Sequence, residues 1–189
     1  MERYLACMNI QLYFQYVRQW QLHAGTIVTI RPIQPEDDSK LVAFQQTLSD
    51  QSVYFRYAGM LRLSQRIMHD RLSRLCFIEH GREMALVAEK EATESLSSEI
   101  IAVGRLSRVP GTRDAEYSIL VTDQYQHQGL GTEISRRLMD VAHDWKLKRI
   151  IAEVLPQNWT MQRTFKTLGF NLQSDGGSVR ATKVLPQYQ

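Results

Sequence analysis

The chain is expected to fold as a mixed α/β sandwich with no internal repeat. Two kinds of segment predict this class: some alternate apolar and polar residues with period two, and others carry apolar residues at helical spacing. The third observation is their order: one strand, two helices, three strands, a helix, a strand, a helix and one or two final strands. Such an order places helices on the faces of a mixed sheet.

The first half of the chain has clear boundary signals. The first strand alternates and ends at Pro32, and a helix follows with proline and acidic residues in its first turn. Ser64 is a candidate N-cap for a second helix, and a polar, Ser-rich loop over 92–98 separates the next two strands. The predicted elements are a strand over 26–31, helices over 35–48 and 64–75, and strands over 84–88 and 99–106.

The second half alternates between strands and helices. The helix after the 115–121 strand carries a core-facing apolar stripe that includes Ile134 and Leu138. Asn158 is a candidate N-cap for the last helix, and Gly169 is placed to end it. The predicted elements are strands over 115–121, 148–154 and 179–185, and helices over 132–145 and 158–168.

Length and composition limit the possible functions. The chain has 189 residues, 43% of them hydrophobic and 23% charged, as expected of one globular domain with an extension. A net charge of +3, with scattered basic residues, does not indicate a nucleic-acid-binding protein. No apolar run is long enough to span a membrane, and no His/Cys/Asp cluster has metal-ligand spacing. Two cysteines, Cys7 and Cys76, suit a reducing, cytoplasmic location.

The first 24 residues are expected to lie outside the domain proper. They are rich in aromatic residues, but polar residues interrupt any signal-peptide core. We therefore expect an N-terminal extension or peripheral helix over 1–24, packed on the domain or on a second copy, and a domain over 25–189. Binding of a partner or of a membrane surface is the alternative for this segment. The apolar residues at helical spacing are Leu5, Met8, Leu12, Tyr16 and Trp20.

A glycine-bearing turn between a strand and a helix is the most informative feature of the chain. Its residues run from Gln126 to Gly131. Unpaired N–H groups at a helix N-terminus, together with the helix dipole, form an anion site, and glycine lets a phosphate approach the backbone. Ile134 occupies the third glycine position of a dinucleotide-binding motif, and no Gly-Lys-Ser/Thr triplet occurs. The turn is therefore expected to bind a phosphate-bearing ligand of another kind.

The spacing of this turn, Gln-x-x-Gly-x-Gly, resembles the acyl-CoA-binding motif of the GNAT superfamily of N-acetyltransferases. A second match is the segment from Asn158 to Leu168-Gly169-Phe170, which is similar to that family's Asn…Leu-Gly-Phe stretch. The resemblance covers about residues 26–187. It implies a GNAT fold, with a mixed, mostly antiparallel sheet of six to seven strands flanked by about four helices. It also implies acetyl-CoA as cosubstrate, bound through its pyrophosphate. We expect no metal, because no cluster with metal-ligand spacing occurs.

A narrower resemblance is to the acetyltransferase domain of bacterial Pat-type protein lysine acetyltransferases. It is carried by four segments: 31–37, 52–57, 82–88 and 115–117. This resemblance implies a protein lysine as the acceptor.

Acetyl transfer to lysine needs a neutral amine, and only about one free lysine in 10³ is neutral at pH 7. A general base within direct or one-water reach of the amine helps. Glu116 is the candidate, because Pat-type enzymes place their catalytic glutamate at this position. It shares a strand face with Ser118. The alternative is an exposed carboxylate that pairs with a neighbouring Lys or Arg.

The resemblance also implies how the thioester is bound. A backbone N–H near Leu120 or Val121, where a β-bulge splays the strand, is the expected donor to the developing oxyanion. Many GNAT enzymes protonate the leaving thiolate with a tyrosine, but Phe165 occupies that position here. The expected cofactor-binding residues are Ile119, Leu120, Val121, Gln126, His127, Gln128, Gly129, Leu130, Gly131, Thr132 and Asn158.

The acceptor side is expected between the two early helices, at Tyr54, Arg56 and Tyr57. Core packing with one surface arginine is the alternative there. We thus expect an acetyl-CoA-dependent N-acetyltransferase, monomeric or homodimeric, that acetylates a protein lysine by direct transfer in a ternary complex. Acetylation of a small amine such as a polyamine, an amino acid or an antibiotic, and a non-catalytic acyl-CoA-binding sensor, are the alternatives.

Overall fold

The computed structural model describes residues 14–76, 79, 81–91 and 97–186. In these residues eight strands form one sheet, in the order β1-β2-β3-β4-β5-β6-β8-β7. Every neighbouring pair is antiparallel except β5 and β6, which are parallel. The strands are β1 Arg18–Gln21, β2 Ile27–Pro32, β3 Glu83–Lys90, β4 Glu99–Arg108, β5 Asp114–Val121, β6 Arg149–Val154, β7 Asn171–Asp175 and β8 Ser178–Val184.

Six α-helices and two short 3₁₀ turns connect these strands within the described residues. The 3₁₀ turns are Pro35–Asp37, ahead of the first helix, and Asp123–Tyr125, between β5 and the glycine turn. The helices are α1 Asp38–Gln46, α2 Asp50–Tyr57, α3 Leu63–Arg66, α4 His69–Cys76, α5 Leu130–Asp144 and α6 Trp159–Thr167.

The sheet separates two apolar cores. The larger core lies on the face that carries α5 and α6, and the smaller core lies under α1, α2 and α4. Successive residues of β5 point to opposite faces, so Ile119 packs against the larger core and Leu120 against the smaller one. This alternation decides which side chains of β5 can meet each layer of helices.

The predicted fold class is confirmed, but the predicted numbers of strands and helices were too low. β1 and β7 account for the additional strands. β7 is mostly exposed and has no alternating apolar pattern, so its sequence carries no strand signal. The predicted helix over 64–75 is in fact two shorter helices, α3 and α4.

The segment with Tyr54, Arg56 and Tyr57 was expected as a connection between helices, and this was wrong, because it forms α2. Ser49 caps this helix: its side chain accepts a hydrogen bond from the Ser52 N–H at 3.2 Å. Ala58 ends the helix in a left-handed conformation, with φ of 50°. A helix of eight residues with a weak apolar stripe offers little periodicity to detect.

The predicted N-terminal helix is also wrong where the structure describes it, since Arg18–Gln21 is a strand paired with β2. Tyr16 and Trp20 are four residues apart, a spacing that places two residues on one face of a helix or of a strand. Pairing with β2 settles the ambiguity. The other residues of the predicted stripe lie outside the described residues, and the domain boundary at residue 25 stays a prediction. No described helix is long and apolar enough to cross a bilayer.

A close helix–sheet contact depends on Gly104 in β4. A Cβ added there would overlap Ile134 Cγ2 and lie 3.0 Å from Leu138 Cδ1, both on α5. We predict that Gly104→Ala lowers the free energy of unfolding by about 1–3 kcal/mol, because α5 has to move away from the sheet. Chemical denaturation measures this. Gly177→Ala is the control, since nothing lies within 4 Å of its added Cβ, and equal losses in both variants would contradict the contact.

An ion-pair network joins β2 and β3 to the start of the first helix. Arg31 binds Asp37 at 2.6 Å and Glu89 at 2.8 Å, and Lys40 also pairs with Glu89. Burial alone would raise the pKa of Glu89, but the hydrogen bonds from Arg31 and Lys40 lower it to about 2. The Glu89 carboxylate therefore stabilises the folded state at every pH at which it is ionised.

This network predicts an acid-sensitive contribution to stability. Because the pKa of Glu89 falls on folding, its contribution is fully present above the ordinary value near 4.5 and is lost as pH falls towards 2. We expect Glu89→Gln to lose up to about 3 kcal/mol at neutral pH and to show a flatter stability curve between pH 4.5 and 2. Urea titrations at several pH values measure the slope, and an unchanged slope would contradict the prediction.

Candidate active site

The sheet opens into a cleft where β5 and β6 separate. These two strands pair only at their beginnings, and the last pair in register is Glu116 with Ile151. The cleft has a volume of about 640 Å³. Residues of β5, β6, α2, α6 and the glycine turn line the cleft.

The ladder between β4 and β5 decides which backbone groups of β5 face the cleft. The Thr122 N–H donates to Ile101 O and the Val109 N–H to Asp114 O, both at 2.9 Å. In this register, the even-numbered residues of β5 direct their backbone N–H and C=O groups towards β4. The N–H and C=O groups of Ile119 and Val121 therefore point into the cleft, where no residue of β6 is in register with them.

This register refines the expected oxyanion donor. The Leu120 N–H points towards β4, so of the two predicted positions only the N–H of Val121 faces the cleft. The expected bulge in β5 is absent, since its described ladder with β4 is regular. The irregularity lies one ladder away, between β3 and β4 at Ala88 and Glu89. The strand splay that the bulge was expected to produce is nevertheless present on the β6 side.

The glycine turn presents a row of free N–H groups at the end of the cleft. The first backbone hydrogen bond of α5 runs from the Glu133 N–H to Gly129 O, at 3.0 Å. The N–H groups over 129–132 therefore have no partner within the helix, and the helix dipole adds about half a positive charge there. Gly129 itself has a φ of 83°, which favours glycine. The geometry fits an anionic group such as a pyrophosphate.

The packing of the protein does not require a glycine at position 131. A Cβ added there would make only ordinary contacts, at 3.8 Å from Val121 Cγ2 and 3.9 Å from Ile119 Cδ1. Gly131 also lines the cleft. Its small size therefore leaves the backbone accessible to a ligand.

The N-terminal strand packs against the same turn. The His23 N–H donates to Gln128 O at 3.3 Å. A Cβ added to Gly129 would lie 2.8 Å from His23 Nε2 and 3.1 Å from Trp20 Cη2. At the other end of α5, the Tyr16 hydroxyl donates to Asp144 at 2.8 Å. The segment from Tyr16 to His23 thus runs along the whole length of α5.

A polar network holds the start of the turn against α2. Asp123 accepts hydrogen bonds from the Ser49 N–H at 2.9 Å, from Ser49 Oγ at 2.6 Å and from Ser52 Oγ at 3.0 Å. Burial alone would raise the pKa of Asp123, but these hydrogen bonds outweigh it and the pKa is lowered. The Gln126 side chain donates to Ser52 Oγ and to Val121 O. Its amide group is therefore used to position the turn.

Glu116 sits at the point where the two strands separate. Its side chain is exposed and shares a face of β5 with Ser118, which lines the cleft. Glu116 itself does not line the cleft. No hydrogen bond or ion pair joins its carboxylate to another described residue, so the predicted alternative of a Lys or Arg partner finds no support there.

The aromatic residues at the cleft floor are packed rather than free. Phe165 is buried against Tyr117, with ring centroids 5.7 Å apart, and against Phe170 at 4.7 Å. The Tyr117 hydroxyl lies 2.5 Å from Ser135 Oγ, which donates to Gly131 O. Burial raises the pKa of Tyr117 well above its usual value. Tyr117 is therefore held as a neutral, hydrogen-bonded side chain.

Most of the predicted site residues meet at this cleft. Asn158 caps α6, since its Oδ1 accepts from the Met161 N–H at 3.1 Å. Leu130 is buried in the core, and Gln128 donates to Gln124 O. Tyr54 and Tyr57 lie outside the cleft lining. The predicted residues that line it are Arg56, Ile119, Leu120, Val121, Gln126, His127, Gly129, Gly131, Thr132 and Asn158.

Sequence reasoning missed several residues of the cleft walls. Gln51, Ser52 and Phe55 come from the undetected helix α2, and the Ser49 cap followed by Asp50 is the signal that could have revealed it. Trp159 and Arg163 project from α6 and lack a distinctive sequence signal. Within the described ranges, no group of three or more His, Cys, Asp or Glu residues is arranged to hold a metal ion.

Comparison with known proteins identifies the family. The family model described as an acetyltransferase (GNAT) domain matches residues 28–171, well over half of the chain. The chain belongs to the GNAT acetyltransferases. It is therefore an acetyl-CoA-dependent N-acetyltransferase, and the free N–H groups of the turn and of β5 fit the cosubstrate of this family.

Individual relatives agree with this assignment. An acetyltransferase of Pseudomonas aeruginosa is 27% identical over 154 residues, which cover 82% of this chain and 80% of that protein. The GNAT domain of S. lividans PAT superposes with a TM-score of 0.79 at 26% identity, covering 90% of this chain and 98% of that one. Mycobacterium smegmatis RimJ in complex with CoA-disulfide has the same fold, with a TM-score of 0.69, 19% identity and coverage of 90% and 89%.

The two glycines of this acetyltransferase's turn are predicted to respond differently to alanine. Gly129→Ala should lower the melting temperature and raise the KM for acetyl-CoA, because alanine disfavours a positive φ by about 1–2 kcal/mol and its Cβ would displace His23. Gly131→Ala should leave stability unchanged or slightly higher and raise only the KM for acetyl-CoA, because its Cβ would stand between the backbone and the ligand. Thermal unfolding and steady-state kinetics test both, and equal responses would contradict the assignment of separate roles.

Proposed function

We propose that this enzyme transfers the acetyl group of acetyl-CoA directly to a lysine side chain of a protein, with Glu116 as general base. The position of Glu116 carries the proposal, since it lies at the last paired residue of β5, immediately before the cleft-facing backbone groups begin. Its exposure leaves room for an acceptor that belongs to a large molecule. The resemblance to Pat-type protein lysine acetyltransferases supports a protein acceptor, and the likeness to the GNAT domain of S. lividans PAT agrees with that resemblance.

The proposed cycle begins with both substrates bound. Pyrophosphate oxygens accept hydrogen bonds from the N–H groups of the glycine turn, and the thioester lies along the open edge of β5. Glu116 takes a proton from the acceptor amine, directly or through one water molecule. The amine then attacks the thioester carbon, and the N–H of Val121 stabilises the negative charge that develops on the oxygen.

The attacking nitrogen loses its second proton to water, and collapse of the tetrahedral intermediate expels the CoA thiolate. Phe165 has no proton to donate, and the Tyr117 hydroxyl is engaged with Ser135. We therefore propose that a water molecule protonates the thiolate. In this scheme no covalent acetyl-enzyme forms, so both substrates must be bound together.

We predict that Glu116→Gln lowers kcat for acetyl transfer by about 10²- to 10⁴-fold and leaves the KM for acetyl-CoA close to normal. The loss should shrink as pH rises, because the acceptor amine then loses its proton without help. Release of CoA thiol, measured across pH, gives both quantities. Glu99→Gln is the matched control, since Glu99 is an exposed strand carboxylate paired with Lys90 at 3.0 Å. A near-normal kcat in Glu116→Gln would contradict the assignment of Glu116 as general base.

The acceptor class needs its own experiment. Two assays compare protein acceptors with small-amine acceptors. Mass spectrometry detects acetylation of folded proteins and lysine peptides incubated with acetyl-CoA. Thiol release measures turnover with polyamines, amino acids and aminoglycosides. Efficient turnover of a protein lysine supports the proposal. Turnover confined to small amines would replace it with the small-molecule alternative.

A further inference from the structure

A partly buried positive charge at the cleft has no carboxylate partner among the described residues. Arg56, in the last turn of α2, lines the cleft and donates from Nη2 to Ser118 Oγ at 3.0 Å. No carboxylate among the described residues lies within ion-pair distance of its guanidinium. A guanidinium has five N–H donors, and one of them is used here.

The surroundings of Arg56 add positive charge. Its guanidinium lies 5.1 Å from the Tyr57 ring centroid, and that of Arg71 lies 4.9 Å from the same ring. Arg105 is directly opposite Ser118 in the ladder, but it contacts Glu83 at 3.6 Å and Leu75 O at 3.0 Å. Burial lowers the pKa of Arg56, and Arg105 and Arg71 lower it further. The group nevertheless stays charged at neutral pH.

This arrangement is costly unless an anion completes it. A partly buried cation without a counter-charge is destabilised by desolvation, and a cation–π contact offsets only part of that cost. The CoA phosphates have the free N–H groups of the glycine turn, which contacts Ser52 at the start of α2, whereas Arg56 lies at the other end of that helix beside Ser118. The remaining molecule that enters the cleft is the acceptor.

We infer that Arg56 binds a carboxylate of the acceptor, so that the enzyme prefers amines that carry a carboxylate several bonds away. This inference rests on the proposed role of Glu116. Glu116 and Ser118 lie two residues apart on one face of β5, about 7 Å. An amine at Glu116 and a carboxylate at Arg56 would span a comparable distance. The ε-amine and the α-carboxylate of lysine fit this chemistry, as does a protein lysine beside an acidic residue.

Matched acceptors test the inference. Lysine and 1,5-diaminopentane differ by the α-carboxylate alone, and peptides with Glu or Gln beside the lysine provide the macromolecular pair. We expect kcat/KM to be at least about tenfold higher for the carboxylate-bearing member of whichever pair the enzyme uses. Arg56→Gln should abolish this preference, Arg56→Lys should keep part of it, and the KM for acetyl-CoA should stay unchanged in both.

The outcomes separate the two proposals. Arg82→Gln is the control, because Arg82 pairs with Glu79 on the surface, and its acceptor preference should match that of the wild type. Equal kcat/KM for both members of each pair in the wild type would overturn the inference and leave the acetyltransferase mechanism standing. An equal loss for both members in Arg56→Gln, with a lowered melting temperature, would assign Arg56 a structural role. No turnover of any amine would overturn both proposals.

Discussion

Parallel pairing between β5 and β6 stops after Glu116 and Ile151, and the site is built around this stop. A strand edge inside a protein normally pairs, because an unsatisfied buried N–H or C=O costs about 1–3 kcal/mol. Here β6 continues along β8 to Val154, while β5 continues along β4 to Val121. The two central strands are each supported on their outer side, so the gap between them can persist. An extended ligand with amide groups can use the open edge as a third strand would.

Hydrogen bonds to α2 hold the turn that lies at the far end of this gap. Asp123 and Gln126 connect the turn to Ser49 and Ser52 at the start of α2. The same helix carries Arg56 at its other end, beside Ser118. One short helix therefore contacts both the cosubstrate side and the proposed acceptor side of the cleft, which makes its position important for both.

The parts of the site that could be predicted from sequence are local. The glycine turn and the Asn158 cap depend on a few neighbouring residues, and both lie where they were expected. Helix α2 and strand β1 could not be found in the same way. α2 is short and has a weak apolar stripe, and β1 forms because β2 offers it an edge. Which distant side chains surround Arg56, with no carboxylate among the described ones, is set by the whole fold, and no local pattern records it.

Strand β1 precedes the residues that the family model matches, and its contact with the glycine turn limits which residues can occupy three positions of the chain. The segment from Tyr16 to His23, with β1 at its centre, contacts α5 at Asp144 near its C-terminal end and the turn at Gln128 before its N-terminal end. Contact at Trp20 and His23 leaves no space for a side chain at position 129. Residues 20, 23 and 129 are thus expected to change together among homologues: a larger residue at 129 requires smaller ones at 20 and 23.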